Sequence, residues 1–302
     1  DNSFTSPQND SLFWSTLTGG TAPLGEYLQN NSSYDSKVLN DGDYIVRQTK
    51  QRFKYQPGKS HQFFITGLLS TQTGVRKRVG LVDYDNINLA TITNTPQNGI
   101  FFENSGGTLS WNIVNNGVVT EKVYQSEWNE DKLNGLDGNE NPSSFNLDID
   151  SVNIFYSDIE WLGVGSVRVG FVINGEIVIV HKFHHASNNF TLPYMRTANL
   201  PIAYECTAFS ATTGFTRQIC SSVISEGGYN PQGVGHSIKN ITPISIADGL
   251  VRPLIGIRLK PESFEYSILV ESIRAFNSTD TSSSIVSLCF NPTISGGTPQ
   301  WV

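Results

Sequence analysis

The run VRVGFVINGEIVIVHKF at residues 167–183 constrains this chain more than any other stretch. Asn174-Gly175 divides two alternating apolar segments, and both residues accept the positive φ of a type I′ turn, so the pattern predicts a β-hairpin. A two-residue turn pairs Ile173 with Glu176, Phe171 with Val178, Val169 with Val180 and Arg168 with His181, the last a polar pair within an apolar ribbon. Val167, Val169, Phe171 and Ile173 then share a face with Val178 and Val180, while Val172, Ile177, Ile179 and Phe183 share the other. Apolar residues on both faces predict a central hairpin, in the middle of a sandwich or in one whose outer face packs against a helix or another subunit.

The rest of the chain repeats the strand signal. Of 302 residues 38% are hydrophobic, only 16% are charged and 27 are glycine, a composition for a folded, sheet-rich protein. Helical stripes free of glycine are scarce, whereas strand-like segments recur about every ten residues between turn residues. They run from 43–49, 61–68 and 75–83 through 99–103, 108–115, 118–125, 144–149, 152–158, 167–173, 176–183, 201–206 and 218–225 to 255–259, 267–275 and 284–290. The expected fold is all-β, a jelly-roll-like β-sandwich with few or no long helices. Residues 1–40 read as an N-terminal arm or edge segment, 41–230 as the main sandwich, and 231–302 as a C-terminal β segment beyond the glycine-rich stretch SEGGYNPQGVGHS.

Several function classes are disfavoured. A net charge of −7 and a pI near 5.2 argue against coating nucleic acid, and QRFKYQPGKSHQFF alternates like a half-buried strand. No apolar run approaches the roughly 18 residues of a membrane span, and DNSFTSPQND lacks the basic end and apolar middle of a signal peptide. Cys206, Cys220 and Cys289 are odd in number and lack metal spacing, which favours buried thiols; Cys206 with Cys220 is the only plausible local pair. Gly163-Val164-Gly165 opens like a dinucleotide loop, but Arg168 stands at the third glycine position. No G-x-S-x-G nucleophile context is present.

Weaker constellations remain. His181, His184 and His185 cluster, but on a strand they divide between two faces. DKLNGLDGNEN supplies the oxygen donors Asp131, Asn134, Asp137, Asn139 and Glu140 without the spacing of a calcium loop. Asp158 and Glu160 share a strand face just before Trp161, a loose glycosidase-like pairing. These patterns imply no cofactor, no metal and no catalytic set. Trp128, Asp131 and Asp137 in the loop 126–144, together with Trp161 and Tyr229, are the expected surface contacts.

Six ordered segments resemble a family of uncharacterised virion-associated proteins of large tailed bacteriophages and aquatic viruses. They are YIVRQTKQRFKYQPGKSHQFFITG (44–67), NGIFFE (98–103), QSEWNEDKLNG (125–135), EWLGVGSVRVGFVINGEIVIVHKFHHASN (160–188), YMRTANLPIAYE (194–205) and QICSSVISEGGY (218–229). The resemblance implies a non-enzymatic structural protein located in the virion as capsid, decoration, fibre or spike component. Its partners would be other virion proteins and further copies of itself in a homo-oligomer. A lectin-like module that binds a host-surface glycan is the alternative, and a carbohydrate-active enzyme using Asp158 or Glu160 the weaker one.

Overall fold

A computed structural model describes residues 2–3, 13–86, 91–189 and 191–228, and, towards the C-terminus, 233–240, 242, 244, 251–260, 268–276 and 285–289. The chain divides into two compact units, Asp1–Asn230 and Pro231–Val302.

The first unit is a sandwich of antiparallel strands. In chain order these are β1 (Asn2–Ser3), β2 (Trp14–Gly19), β3 (Leu24–Leu28), β4 (Ser33–Val38), β5 (Tyr44–Thr49), β6 (His61–Leu68), β7 (Val75–Asp83), β8 (Asp85–Asn86) and β9 (Thr91–Ile92). They continue as β10 (Asn98–Ser105), β11 (Thr108–Asn115), β12 (Val118–Tyr124), β13 (Asn153–Ile159), β14 (Val167–Ile173), β15 (Glu176–Phe183), β16 (Ile202–Ala208) and β17 (Gly214–Ser225). The first sheet has the order β15-β14-β13-β6-β17-β4-β3, with β1 also paired to β17; the second has the order β12-β11-β10-β7-β16-β5-β2. Among the described residues no helix is long and apolar enough to cross a membrane.

Period-two alternation places one apolar set of each sheet in the space between them. Phe63 and Ile65 of β6, Phe155 of β13 and Phe171 of β14 pack with Leu81 of β7, Ile100 and Phe102 of β10 and Trp111 of β11. Phe102 meets Phe155 at 5.1 Å and Phe171 edge-on at 5.5 Å, so aromatic rings bridge the two sheets. Such pairs contribute about 0.5–1.5 kcal/mol each beyond the area they bury.

The expected hairpin forms, with Asn174 at φ 54° and Gly175 at φ 86°. Its register departs from the sequence expectation beyond the first pairs. Ile173 faces Glu176 and Phe171 faces Val178, but a bulge between Val169 and Gly170 pairs Val169 with His181 and Arg168 with Lys182. The cause is an odd spacing of apolar residues. Val178, Val180 and Phe183 all pack toward the core, and two residues rather than one separate the last two, so one extra residue must enter the ladder. Gly170, paired with Ile179 next to the bulge, is where a Cβ would strike the Val178 carbonyl oxygen.

The hairpin is not central. β15 is an edge strand, and Ile177 on its outer face is 46% exposed, because apolar residues on both faces do not specify a neighbouring strand. Within residues 1–40 the described strands take the edge position of the two expected: β2 is an edge of the second sheet, and β4 and then β3 extend the first to its edge. The stretch 144–149 is no strand. Its β-pairing is limited to one isolated bridge, Asn146 with Asn134, made by the Gly135 N–H bond to Phe145 O and the Leu147 N–H bond to Leu133 O. In the second unit, the described residues within the expected strands 255–259, 267–275 and 284–290 carry no strand; 267, 284 and 290 lie outside the described residues. Alternation supplies a sheet face, but a strand also needs a partner for its backbone N–H and C=O groups. Cys206 and Cys220 carry thiols and are not bridged.

Substitutions at two positions test this account. Asn174→Val forces a β-branched residue into the left-handed region and is expected to cost about 1–2 kcal/mol, whereas Asn174→Gly leaves stability nearly unchanged. Gly170→Ala drives a methyl into the β15 backbone and is expected to cost about 1–3 kcal/mol. Urea unfolding of the three variants measures both; a neutral Gly170→Ala would refute the close approach at the bulge.

Candidate functional site

The outer face of the first sheet carries a cleft of about 400 Å³. Antiparallel register assembles it in rows. Gln62 of β6, Asp158 of β13 and Arg168 of β14 stand side by side, and the next outward-facing row runs Phe64, Tyr156, Gly170 and Ile179. Ile177 extends the β15 wall, while Ser60, Glu160 and Glu226 close the end where β6, β13 and β17 meet their loops. Glu226 is tied there by its N–H to the Ser60 carbonyl at 3.0 Å.

One end of the cleft is charged and the other apolar. A single Arg168 nitrogen lies 2.7 Å from a carboxylate oxygen of Asp158 and 2.7 Å from one of Glu160. Asp158 is 3% exposed, and its Oδ1 is buried with no hydrogen-bond partner. Buried acceptors are nearly always satisfied, so this oxygen is the least settled group of the face. Beside it, burial and then the Asp158 charge push the Tyr156 phenol up to about 12, against the opposing charge of Arg168. Tyr156 is therefore a neutral hydroxyl on an aromatic ring, which packs on Phe64 at 5.1 Å.

A second charged group, on the outer face of the other sheet, differs in kind. Glu103, Arg78 and Glu205 form one row across β10, β7 and β16. Arg78 donates to Glu103 at 2.6 Å and to Glu205 at 3.0 Å. Arg76, Tyr84 and Thr207 donate to Glu205 as well, and Lys122 completes Glu103. Burial alone would raise Glu205, but Arg78, Arg76 and the Tyr84 hydroxyl bring it down to about 2. Each carboxylate oxygen here has a donor, which marks a structural network.

The residues expected to make surface contacts are mostly used inside the fold. Trp128 is 2% exposed and packs on Phe171 at 6.0 Å, since the free energy of hiding an indole outweighs keeping it at the surface. Asp131 is buried, accepting from the Leu133 and Ser143 N–H groups, so its oxygens organise the loop and are not free for calcium. That loop also covers the exposed edge of β15: the Glu130 and Asp131 N–H groups bond to Val180 O, and Asn129 bonds to Lys182 in both directions. Trp161 is half-buried, donating to Met195 O at 3.3 Å and meeting Tyr55 edge-on. Asp137 is exposed, and Tyr229 lies outside the described residues.

The histidines do not converge. Burial first, with some help from His184, depresses His181 to about 4, and its Nδ1 accepts from the Asn129 N–H. His185 contacts Gly165 O and Glu121 while stacking on Tyr194 at 3.8 Å. Among the described residues no group of three or more His, Cys, Asp and Glu side chains is placed to hold a metal ion. Of the cleft residues, Asp158, Glu160 and Arg168 were singled out in the sequence. Tyr156 could have been, by its parity with Asp158 and Glu160; Gln62 and Glu226 could not, because the β6–β13 and β6–β17 pairings are distant in sequence.

No protein-family model and no curated protein sequence matches the chain. Among solved structures it is similar to a legume lectin-like domain from Entamoeba histolytica, with 11% identity, a TM-score of 0.43, and 74% of this chain and 95% of that one covered. It is also similar to the Ca2+/Man3GlcNAc-bound exoplasmic/lumenal domain of VIP36, with 7% identity, a TM-score of 0.45 and coverages of 78% and 90%. A Bacillus licheniformis β-glucanase matches with 10% identity, a TM-score of 0.41 and coverages of 69% and 90%. The sandwich assignment itself rests on the sheet topology.

Acid titration separates the buried groups. Glu205 is depressed from an ordinary 4.5 to about 2, so the stability it contributes is complete above 4.5 and is lost as pH falls through about 2. Burial depresses His61 from 6.5 to about 4, so its contribution is complete above 6.5 and declines as pH falls through about 4. Urea midpoints measured against pH are expected to show both windows. His61→Phe should shrink the upper one, which His181 shares, and leave the lower one unchanged, and Glu205→Gln should cost about 3–5 kcal/mol at neutral pH.

Proposed function

We propose that this chain is a non-enzymatic carbohydrate-binding module whose cleft on the first sheet takes a glycan. The observation that carries the reading is Asp158, a buried carboxylate with an unpartnered oxygen, in the wall of a cleft that also offers an aromatic ring and an amide. The χ2 torsion of an aspartate is broad, so a small rotation turns either oxygen toward a donor in the cleft. Sugars present such donors as hydroxyls, and their rings present C–H faces suited to Tyr156, Ile177 and Ile179. The volume is that of a small-ligand site.

Hydrolysis is the poorer reading. Two-carboxylate glycoside cleavage needs one carboxyl as proton donor, whereas Asp158 and Glu160 both accept the charge of the same guanidinium. A glycan array followed by titration calorimetry tests the proposal. Gln62→Ala and Ile177→Asp are expected to weaken binding by about tenfold or more, equivalent to about 1.4 kcal/mol, with unfolding midpoints little changed. Absence of binding to every glycan, by a folded protein, would overturn it.

A second reading is a component of a virus particle that works through protein contacts; among the described residues of the C-terminal unit, Val251, Phe276 and Ile285 are exposed apolar side chains that such contacts would cover. Light scattering over a concentration series and mass spectrometry of particles address it. A monomer at all concentrations, absent from particles, would remove this reading and leave the glycan reading standing.

A further inference from the structure

We infer that the saccharide taken by this cleft bears a free amine, an inference that rests on the glycan-binding reading and narrows it to amino sugars. The cleft is lined by the carboxylates of Asp158, Glu160 and Glu226 against the one guanidinium of Arg168. Lys182, next to Arg168 across the β14–β15 pair, is engaged by Glu130 at 3.1 Å and does not line the cleft. The excess is therefore negative, and a uronic, sialic or sulfated sugar would bring like charge into it.

Charge alone would make this a solvated acidic patch. Asp158 distinguishes it, because that carboxylate is 3% exposed and its Oδ1 has no donor, although Arg168 lies against the other oxygen. Removing a carboxylate from water leaves a demand that a neutral hydroxyl meets in part and an ammonium meets more fully, through a shorter, charge-assisted hydrogen bond. Glu160, 47% exposed on its side chain, stands at the rim where an approaching cation is first felt. Tyr156 and the two isoleucines leave the opposite end apolar, so the amine would be directed to the acidic end and the ring face to Tyr156.

The test compares a glucosamine oligomer, its fully N-acetylated counterpart of equal length and an oligogalacturonate, by calorimetry at a pH where the amine is protonated. The glucosamine oligomer is expected to bind about tenfold tighter than the acetylated one, with the oligogalacturonate weakest, and the advantage should shrink as salt is raised. Asp158→Asn is expected to abolish the advantage. Glu160→Gln at the rim is expected to reduce it, and serves where Asp158→Asn fails to fold. Asp137→Asn, on an exposed loop away from the cleft lining, should leave it intact; an equal loss there would mean bulk attraction to an acidic protein and would overturn the inference. Acetylated or acidic sugars binding as well or better would overturn the amine preference and leave the glycan reading. Binding of none of the three, nor of any array glycan, would end both.

Discussion

The contact of Phe102 with Phe155 and Phe171 holds the two sheets in register with one another. Trp111 and Trp128 pack on the same Phe171 ring, so β10, β11, β14 and the loop after β12 all depend on one aromatic cluster. Strand alternation makes this decisive for the outer surface as well. Once Phe155 and Phe171 point inward, Tyr156, Asp158 and Arg168 must point outward, and a slip of one residue would bury the charges and expose the rings. The cleft is thus a consequence of core packing rather than an addition to it.

Buried charge is handled in opposite ways on the two outer faces. Beside β7 the carboxylates of Glu103 and Glu205 are surrounded by Arg76, Arg78, Lys122 and Tyr84, and Arg52 likewise bridges Asp83 and Asp85 at 2.8 and 2.6 Å. Those groups recover in hydrogen bonds and ion pairs what they lose in desolvation, so their role is to fix the sheet and its covering segments. Asp158 has one such partner and a spare oxygen. This partial compensation of a group that is costly to bury separates the cleft from the structural ion pairs on the same scaffold.

Local signals in the sequence were legible and long-range ones were not. The Asn174-Gly175 turn and the strands 61–68, 75–83, 108–115, 167–173 and 176–183 match in full, since each is defined by its own alternation and its flanking turns. Strands β2 to β4 were missed because residues 14–38 are rich in Ser, Thr, Asn and Gly and have weak apolar alternation; β5 and β17 recruit them by backbone pairing. Trp128 and Asp131 lie in a polar stretch that reads as exposed, yet it is pinned against β15 by backbone bonds that composition does not register. Asp158, Glu160 and Arg168 were legible as residues, but their convergence depends on β13 pairing with β14 on one side and β6 on the other.

The hairpin bulge joins these threads. Packing Val180 and Phe183 inward together requires one extra residue in β15, and that residue turns Lys182 outward beside Arg168. The strand can approach so closely only because position 170 is glycine, where a side chain would strike the Val178 carbonyl. The same glycine lies between Tyr156 and Ile179 in the outward-facing row, so no side chain fills the space between two residues of the cleft wall. A constraint of the core therefore reaches the outer face: the residue that lets β15 close on β14 is also the one that leaves no side chain between Tyr156 and Ile179.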